Sequence, residues 1–137
     1  MTNISANNKA IKELLSKAKT IAVVGLSPDP DKPSFEVARY LKEQGYKIVP
    51  VRPDEQEVLG EKAYASLKDI PFPVDIVDVF RRPEHMPVVV DEAIPLKPKA
   101  IWMQLGIEHQ EAARKASKAG IQVIEDRCIL IEHKKHF

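Results

Sequence analysis

Short apolar runs alternate with longer amphipathic stretches along this chain. The first run, residues 21–24, is unbroken and ends at Gly25, as expected of a strand buried on both faces of a parallel sheet. A loop rich in Ser, Pro and Asp follows, and then Val37 and Leu41 mark a helical pattern that Ser34 is predicted to cap. A strand, a glycine turn and a helix in this order are typical of a nucleotide-binding βαβ unit.

The alternation continues towards the end of the chain. Further strands are predicted at residues 46–51, 74–80, 99–104 and 121–124, and helices at 7–18, 34–45, 65–70, 84–94 and 108–119. Pro50 is expected at the carboxyl end of its strand because proline cannot donate a ladder hydrogen bond. Asp78 lies inside a predicted strand and is therefore expected to need a polar partner.

The pattern predicts an α/β fold in a single domain covering residues 1–137. We expect a doubly wound, Rossmann-like domain with a mainly parallel five-stranded sheet and helices on both faces. An N-terminal helix is expected within residues 1–18, and residues 129–137 form a C-terminal tail, either a short helix or an extended segment. A length of 137 residues fits one domain, so no second domain is expected, and no repeat or low-complexity tract interrupts the alternation.

The overall composition mainly excludes certain classes of partner and of site. With 21 basic and 20 acidic residues the net charge is +1, so no overall field favours nucleic acid or an anionic membrane as a partner. No apolar leader opens the sequence and no run approaches the ~20 apolar residues of a membrane span, so we expect a cytoplasmic protein. One cysteine excludes an internal disulfide framework, and 4 scattered histidines show no metal-ligand spacing.

Basic side chains gather where the predicted strands end. Ligands of open α/β sheets bind outside the carboxyl ends of the strands, and here those ends carry Arg52, Arg81, Arg82 and Arg127, with Lys32 in the first loop. Cations placed there by a nearly neutral protein favour an anionic ligand. The alternative is that strand ends are polar in any case and that individual arginines pair with nearby aspartates.

The first loop is a candidate phosphate site, because the free N–H groups and the dipole of a helix start attract phosphate. It lacks the dinucleotide fingerprint, since no further glycine follows Gly25 before the helix, and it could equally serve only to reverse the chain. If the backbone approaches a ligand at Gly25, a bulky residue there should abolish binding. Arg52 stands where NAD sites place an acidic residue, which leaves NADP or coenzyme A, both of which carry a ribose phosphate.

Short segments at the strand ends resemble the stand-alone CoA-binding protein family. They are Val-Gly-Leu-Ser-Pro at 24–28, Pro-Val-Arg-Pro at 50–53, Val-Asp-Val-Phe-Arg at 77–81, Ile-Trp-Met-Gln-Leu-Gly at 101–106 and Asp-Arg-Cys at 126–128. That family is similar in fold to the CoA-binding domain of the succinyl-CoA synthetase α subunit. The resemblance covers residues 19–128 and implies coenzyme A as the ligand. Arg52 departs from the family's Asn, and an arginine can pair with a phosphate.

The resemblance and the strand ends together nominate the binding residues. The resemblance implies that Gly25, Leu26, Ser27 and Pro28 lie under the ligand, that Lys32, Pro33 and Ser34 lie near the diphosphate, and that Val51, Arg52 and Pro53 lie beside the adenosine. The other strand ends add Phe80, Arg81, Arg82, Gln104, Gly106 and Cys128. No nucleophile stands beside an acid–base group, so no catalytic residue is predicted, and the scattered histidines predict no metal ligand.

The sequence therefore predicts a protein that binds coenzyme A or an acyl-CoA in a non-catalytic or regulatory role. Two alternatives stay open: an NADP- or other nucleotide-dependent enzyme, and the CoA-binding subunit of a multi-chain acyl-CoA synthetase. A homodimer and a partner synthetase chain are the candidate assemblies. Cys128 is interpreted either as a small buried apolar residue or as a thiol that forms a reversible disulfide with the thiol of coenzyme A.

Overall fold

Parallel strands form the centre of the computed structural model, which describes residues 2–137. The strands are β1 (Thr20–Val24), β2 (Lys47–Val51), β3 (Glu57–Val58), β4 (Glu61–Lys62), β5 (Ile76–Val79), β6 (Ala100–Met103) and β7 (Gln122–Ile124). Five of them make one sheet in the order β2-β1-β5-β6-β7, with every neighbouring pair parallel. The chain leaves β1 to one side and returns to its other side at β5, so the strand order reverses between β1 and β5.

Helices cover both faces of this sheet, and each face has its own apolar core. The helices are α1 (Asn8–Lys17), α2 (Pro33–Glu43), α3 (Met86–Ala93), α4 (Gln110–Lys118) and α5 (Ile129–His136). Helices α1, α2 and α5 contribute side chains to the core on one face, whereas α3 and α4 contribute to the core on the other. The prediction of a doubly wound, mainly parallel five-stranded sheet is confirmed.

Pro50 is accommodated because β2 is an edge strand. The Pro50 carbonyl accepts a hydrogen bond from the Tyr64 N–H at 2.9 Å, on the side away from β1. The N–H and C=O of one strand residue point to the same side, so the proline removes no hydrogen bond between β1 and β2. The Arg52 N–H then donates to the Tyr64 carbonyl at 2.8 Å, which holds the chain where it leaves the sheet.

The start of α2 differs from the prediction. The helix begins at Pro33 with Lys32 in the capping position, and no side chain caps it. Ser34 lies inside the first turn and is buried, and its Oγ accepts the Ser27 N–H at 3.0 Å. Pro33 suits the first helical position because its φ is fixed and its missing N–H is not needed there. Ser34 therefore closes the preceding loop instead of capping the helix.

Two other segments gain structure that the sequence left open. Residues 129–137, treated above as a tail, form α5 up to His136. The segment around residue 59 is the turn of the antiparallel β3–β4 hairpin, with positive φ at both Leu59 and Gly60 as two-residue hairpin turns require. No helix among residues 2–137 combines the length and the apolar character needed to cross a bilayer.

Candidate functional site

A cleft opens at the carboxyl ends of β1, β2 and β5, where the strand order reverses. Its volume is about 510 Å³, and its lining residues are Gly25, Val51, Arg52, Pro53, Asp54, Phe80 and Arg81. We call it the arginine cleft. Both its position and its size are typical of ligand sites in open α/β sheets.

Arg52 is held by an aspartate in this cleft. The Arg52 Nε donates to Asp54 Oδ1 at 2.7 Å, and this hydrogen bond lowers the pKa of Asp54, which keeps the carboxylate charged. The contact uses only Nε, so the two terminal nitrogens of the guanidinium keep their donors for another acceptor. The arginine is thus paired, as the alternative interpretation expected, and still has the paired donors that suit a phosphate.

Arg81 lies across the glycine turn and pairs with no carboxylate among residues 2–137. A Cβ atom built on Gly25 would lie 3.1 Å from Arg81 Cδ, so the aliphatic stem of the arginine covers the turn. Arg81, Arg82 and Lys32 are exposed, and none of them takes part in an ion pair among residues 2–137. These unpaired cations give the carboxyl edge of the sheet a local positive charge in a protein of net charge +1.

Gly25 is required by the fold itself. Its φ is +84°, and a Cβ atom at this position would lie 2.4 Å from the Phe80 carbonyl oxygen. The Gly25 N–H donates to the Val51 carbonyl at 3.0 Å, and the Phe80 N–H donates to the Val24 carbonyl at 2.8 Å. The turn therefore joins the ends of β1, β2 and β5. The close approach that excludes a side chain is to the protein backbone, so it exists without any ligand.

A second cleft adjoins the first across Phe80. Its volume is about 520 Å³, and it is lined by Pro33, Val37, Phe80, Arg81, Arg82, Gln104, Leu105, Ile107 and Cys128. We call it the apolar cleft, because most of these side chains are hydrocarbon. Phe80 and Arg81 line both clefts, so the two form one continuous surface.

Gln104 lines the apolar cleft and is paired with a buried aspartate behind it. Gln104 is 4% exposed, and its Nε2 donates to Asp78 Oδ1 at 2.5 Å. Asp78 is fully buried; burial raises its pKa to about 7, while the hydrogen bond from Gln104 acts in the opposite direction. Asp78 Oδ2 has no partner among residues 2–137. The partner that Asp78 was expected to need is thus the side chain of Gln104.

The remaining nominated residues lie outside the two linings. Leu26 is fully buried in the core beneath the first loop, and Ser34 is engaged with Ser27. The Gly106 N–H donates to Asp126 Oδ1 at 2.7 Å, and the Arg127 guanidinium donates to the Asp126 carbonyl at 2.8 Å. The residues outside both linings are Leu26, Ser27, Pro28, Lys32, Ser34 and Gly106.

Four lining residues were not nominated from the sequence: Val37, Asp54, Leu105 and Ile107. Asp54 could have been found from its position two residues after Arg52 at a strand end, and Leu105 from being apolar directly after a predicted strand. Val37 belongs to the helical apolar pattern, which predicts burial in the core and not a place at a cleft, and Ile107 carries no signal in the sequence. Among residues 2–137, no group of three potential metal ligands comes together.

Comparison with known proteins adds a family and several relatives. A family model described as "CoA binding domain" matches residues 19–134. The chain is 45% identical over 123 residues to the uncharacterized protein YneT of Bacillus subtilis, covering 90% of this chain and 91% of that protein. A solved structure from Thermus thermophilus, "cell-free ID.343", superimposes with a TM-score of 0.92 at 47% identity, covering 96% of this chain and 99% of the other.

A shorter match connects the chain with a larger protein. Over 57 residues it is 54% identical to the α subunit of an ADP-forming acetate–CoA ligase II of Pyrococcus furiosus. That alignment covers 41% of this chain and only 12% of the subunit. The similarity therefore concerns one part of the ligase subunit.

Proposed function

This chain belongs to the CoA-binding domain family, and from that premise we propose that it binds coenzyme A at the carboxyl ends of its strands. The proposed role is non-catalytic or regulatory. The observation that carries the proposal is the arginine cleft, where Arg52 keeps free donors and Arg81 pairs with no carboxylate in the described part of the chain. Coenzyme A carries a ribose phosphate and a diphosphate, and guanidinium groups are well suited to both.

The proposal assigns a part of the ligand to each cleft. The adenosine and its ribose phosphate lie in the arginine cleft beside Arg52, with the diphosphate near Arg81 and the exposed Lys32. The pantetheine arm follows the shared wall at Phe80 into the apolar cleft. A cytoplasmic location is part of the proposal and agrees with the single cysteine, which needs no oxidising compartment.

A second candidate is the CoA-binding subunit of a multi-chain acyl-CoA synthetase. The observation that favours it is the 54% identity to a ligase α subunit over 57 residues. In that case the remaining catalytic domains would be supplied by another chain. Both candidates require the same first step, which is the binding of coenzyme A.

Thermal denaturation with different nucleotides tests the proposal. A ligand that binds only the folded state, at a concentration of about 100 times its Kd, raises the free energy of unfolding by about 2.7 kcal/mol. For a domain of this size this corresponds to roughly 10 °C in Tm. We expect coenzyme A to give such a shift, dephospho-CoA a smaller one and NAD none, because only coenzyme A offers a ribose phosphate to Arg52 together with a pantetheine arm. Equal shifts with NAD and coenzyme A would refute the proposal.

The Arg52→Gln variant makes this test specific. This substitution should lower the affinity for coenzyme A about tenfold, because a charge-assisted hydrogen bond to phosphate contributes roughly 1.5 kcal/mol. The affinity for dephospho-CoA, which lacks that phosphate, should be nearly unchanged. Isothermal titration of both ligands measures the ratio. A larger shift with NADP than with coenzyme A would instead favour the nucleotide-dependent enzyme.

Cys128 provides a chemical test of where the thiol of coenzyme A lies. This cysteine lines the apolar cleft and is half-buried. With oxidised CoA disulfide, the Cys128 thiolate would attack one sulfur, form a protein–CoA disulfide and release one coenzyme A thiolate. Intact-mass measurement should show one CoA adduct that dithiothreitol removes and that Cys128→Ser lacks. If coenzyme A binds but no adduct forms, Cys128 serves only in packing.

A further inference from the structure

An exposed leucine stands at the mouth of the apolar cleft. Leu105 is 59% exposed, two residues after the end of β6, and it lines the cleft together with Ile107. Three other large apolar side chains are exposed to a similar degree, Val88, Ile131 and Phe137, and none of them lines either cleft. Leu105 is thus an apolar surface placed next to the proposed ligand, where added hydrocarbon would cover it.

Other side chains of the lining are also apolar. Pro33 and Val37 from α2 face the same space as Phe80 and Leu105. The lining also contains Arg81, Arg82 and Gln104, but its apolar part suits a chain of methylene groups that displaces water from it. A free thiol is too short to cover this apolar part.

Gln104 supplies a hydrogen-bond acceptor within these walls. Its Nε2 is engaged by Asp78, which fixes the amide so that Nε2 points inward. Its Oε1 accepts no hydrogen bond from residues 2–137, although the side chain is 4% exposed and lines the cleft. This oxygen keeps solvent contact at the cleft surface, so it is free to accept a donor from a ligand. The pantetheine arm carries amide N–H groups that can donate to it.

We infer that the apolar cleft receives the acyl chain of a short-chain acyl-CoA, so that the protein binds butyryl-CoA in preference to free coenzyme A. The inference rests on the proposed function and specifies its ligand class. The cleft continues from the arginine cleft along Phe80 and Arg81, so a single acyl-CoA can occupy both. Gln104 Oε1 accepts an amide N–H of the arm, and the chain beyond the thioester covers Leu105.

Isothermal titration with coenzyme A, acetyl-CoA and butyryl-CoA tests the inference. Each fully buried methylene adds roughly fourfold in affinity, so butyryl-CoA, with two more methylenes, should bind about fifteenfold more tightly than acetyl-CoA. Leu105→Ser removes the apolar rim and should reduce this ratio to about threefold or less. Val88→Ser is the matched control, because Val88 is 60% exposed on α3 outside both clefts, and it should retain the full ratio.

The possible outcomes separate the two proposals. If coenzyme A, acetyl-CoA and butyryl-CoA bind equally, the acyl inference is wrong and the proposed binding of coenzyme A stands. If wild type prefers butyryl-CoA and the Leu105→Ser variant keeps this preference, the acyl chain lies elsewhere and its assignment to the apolar cleft is wrong. If none of the three ligands binds, the proposed function itself fails.

Discussion

Replacing Gly25 with alanine is expected to lower the free energy of unfolding by about 2–4 kcal/mol. Part of the loss is the cost of a side chain at φ +84°, and the rest comes from a Cβ atom 2.4 Å from the Phe80 carbonyl oxygen. That oxygen belongs to backbone held by the hydrogen bond between Phe80 and Val24, so it cannot move away cheaply. Urea denaturation monitored by circular dichroism measures the change.

Gly120→Ala is the matched control for this variant. Gly120 has φ +81°, and apart from its two chain neighbours no atom of residues 2–137 lies within 4 Å of the position of its Cβ. Its substitution therefore costs only the positive-φ strain, about 1 kcal/mol. The difference between the two variants isolates the contact with Phe80. Equal losses would mean that the turn relaxes around the new methyl group and that the close approach at Gly25 does not constrain the fold.

Asp78→Asn is expected to change how stability depends on pH. Because burial raises the pKa of Asp78 to about 7 from an ordinary value of 3.8, the folded state retains a proton that the unfolded chain has lost. The contribution of Asp78 to the free energy of unfolding of the wild type therefore falls as pH rises from about 4 to about 7, and it is constant above pH 7. An asparagine is neutral throughout, so the stability of the variant relative to wild type should increase across this window by on the order of 2–4 kcal/mol.

The difference between the two proteins is the useful quantity, because other groups titrate in the same range. Burial lowers the pKa of His133, whose Nδ1 lies 2.7 Å from the Tyr40 hydroxyl, so its contribution to stability grows as pH rises through the ordinary histidine range. This slope is common to wild type and variant and cancels in the comparison. Urea titrations at intervals between pH 4.5 and 8.5 provide the data. Parallel stability curves would show that Asp78 ionises normally.

The order of strands and helices could be predicted from the sequence because it depends on local periodicity. The apolar run before Gly25 and the helical spacing of Val37 and Leu41 each report on burial over a few residues. The positions of the strand ends could therefore also be predicted, and these ends place Arg52 and Arg81 at one edge of the sheet. The prediction for the start of α2 was wrong. The hydroxyl of Ser34 accepts a hydrogen bond from the N–H of Ser27, seven positions earlier, instead of capping its own helix.

The sequence by itself determined the class of fold, the family and the edge of the sheet that carries the cations. Only the tertiary structure decided which side chains share a cleft, since Leu105 and Ile107 meet Pro33 and Val37 only after the sheet has formed. The Asp78–Gln104 pair spans 26 residues, and the contact of Gly25 with Phe80 joins two strands. Periodicity describes what each residue buries, whereas contacts between distant residues depend on strand order and register, which no local pattern contains.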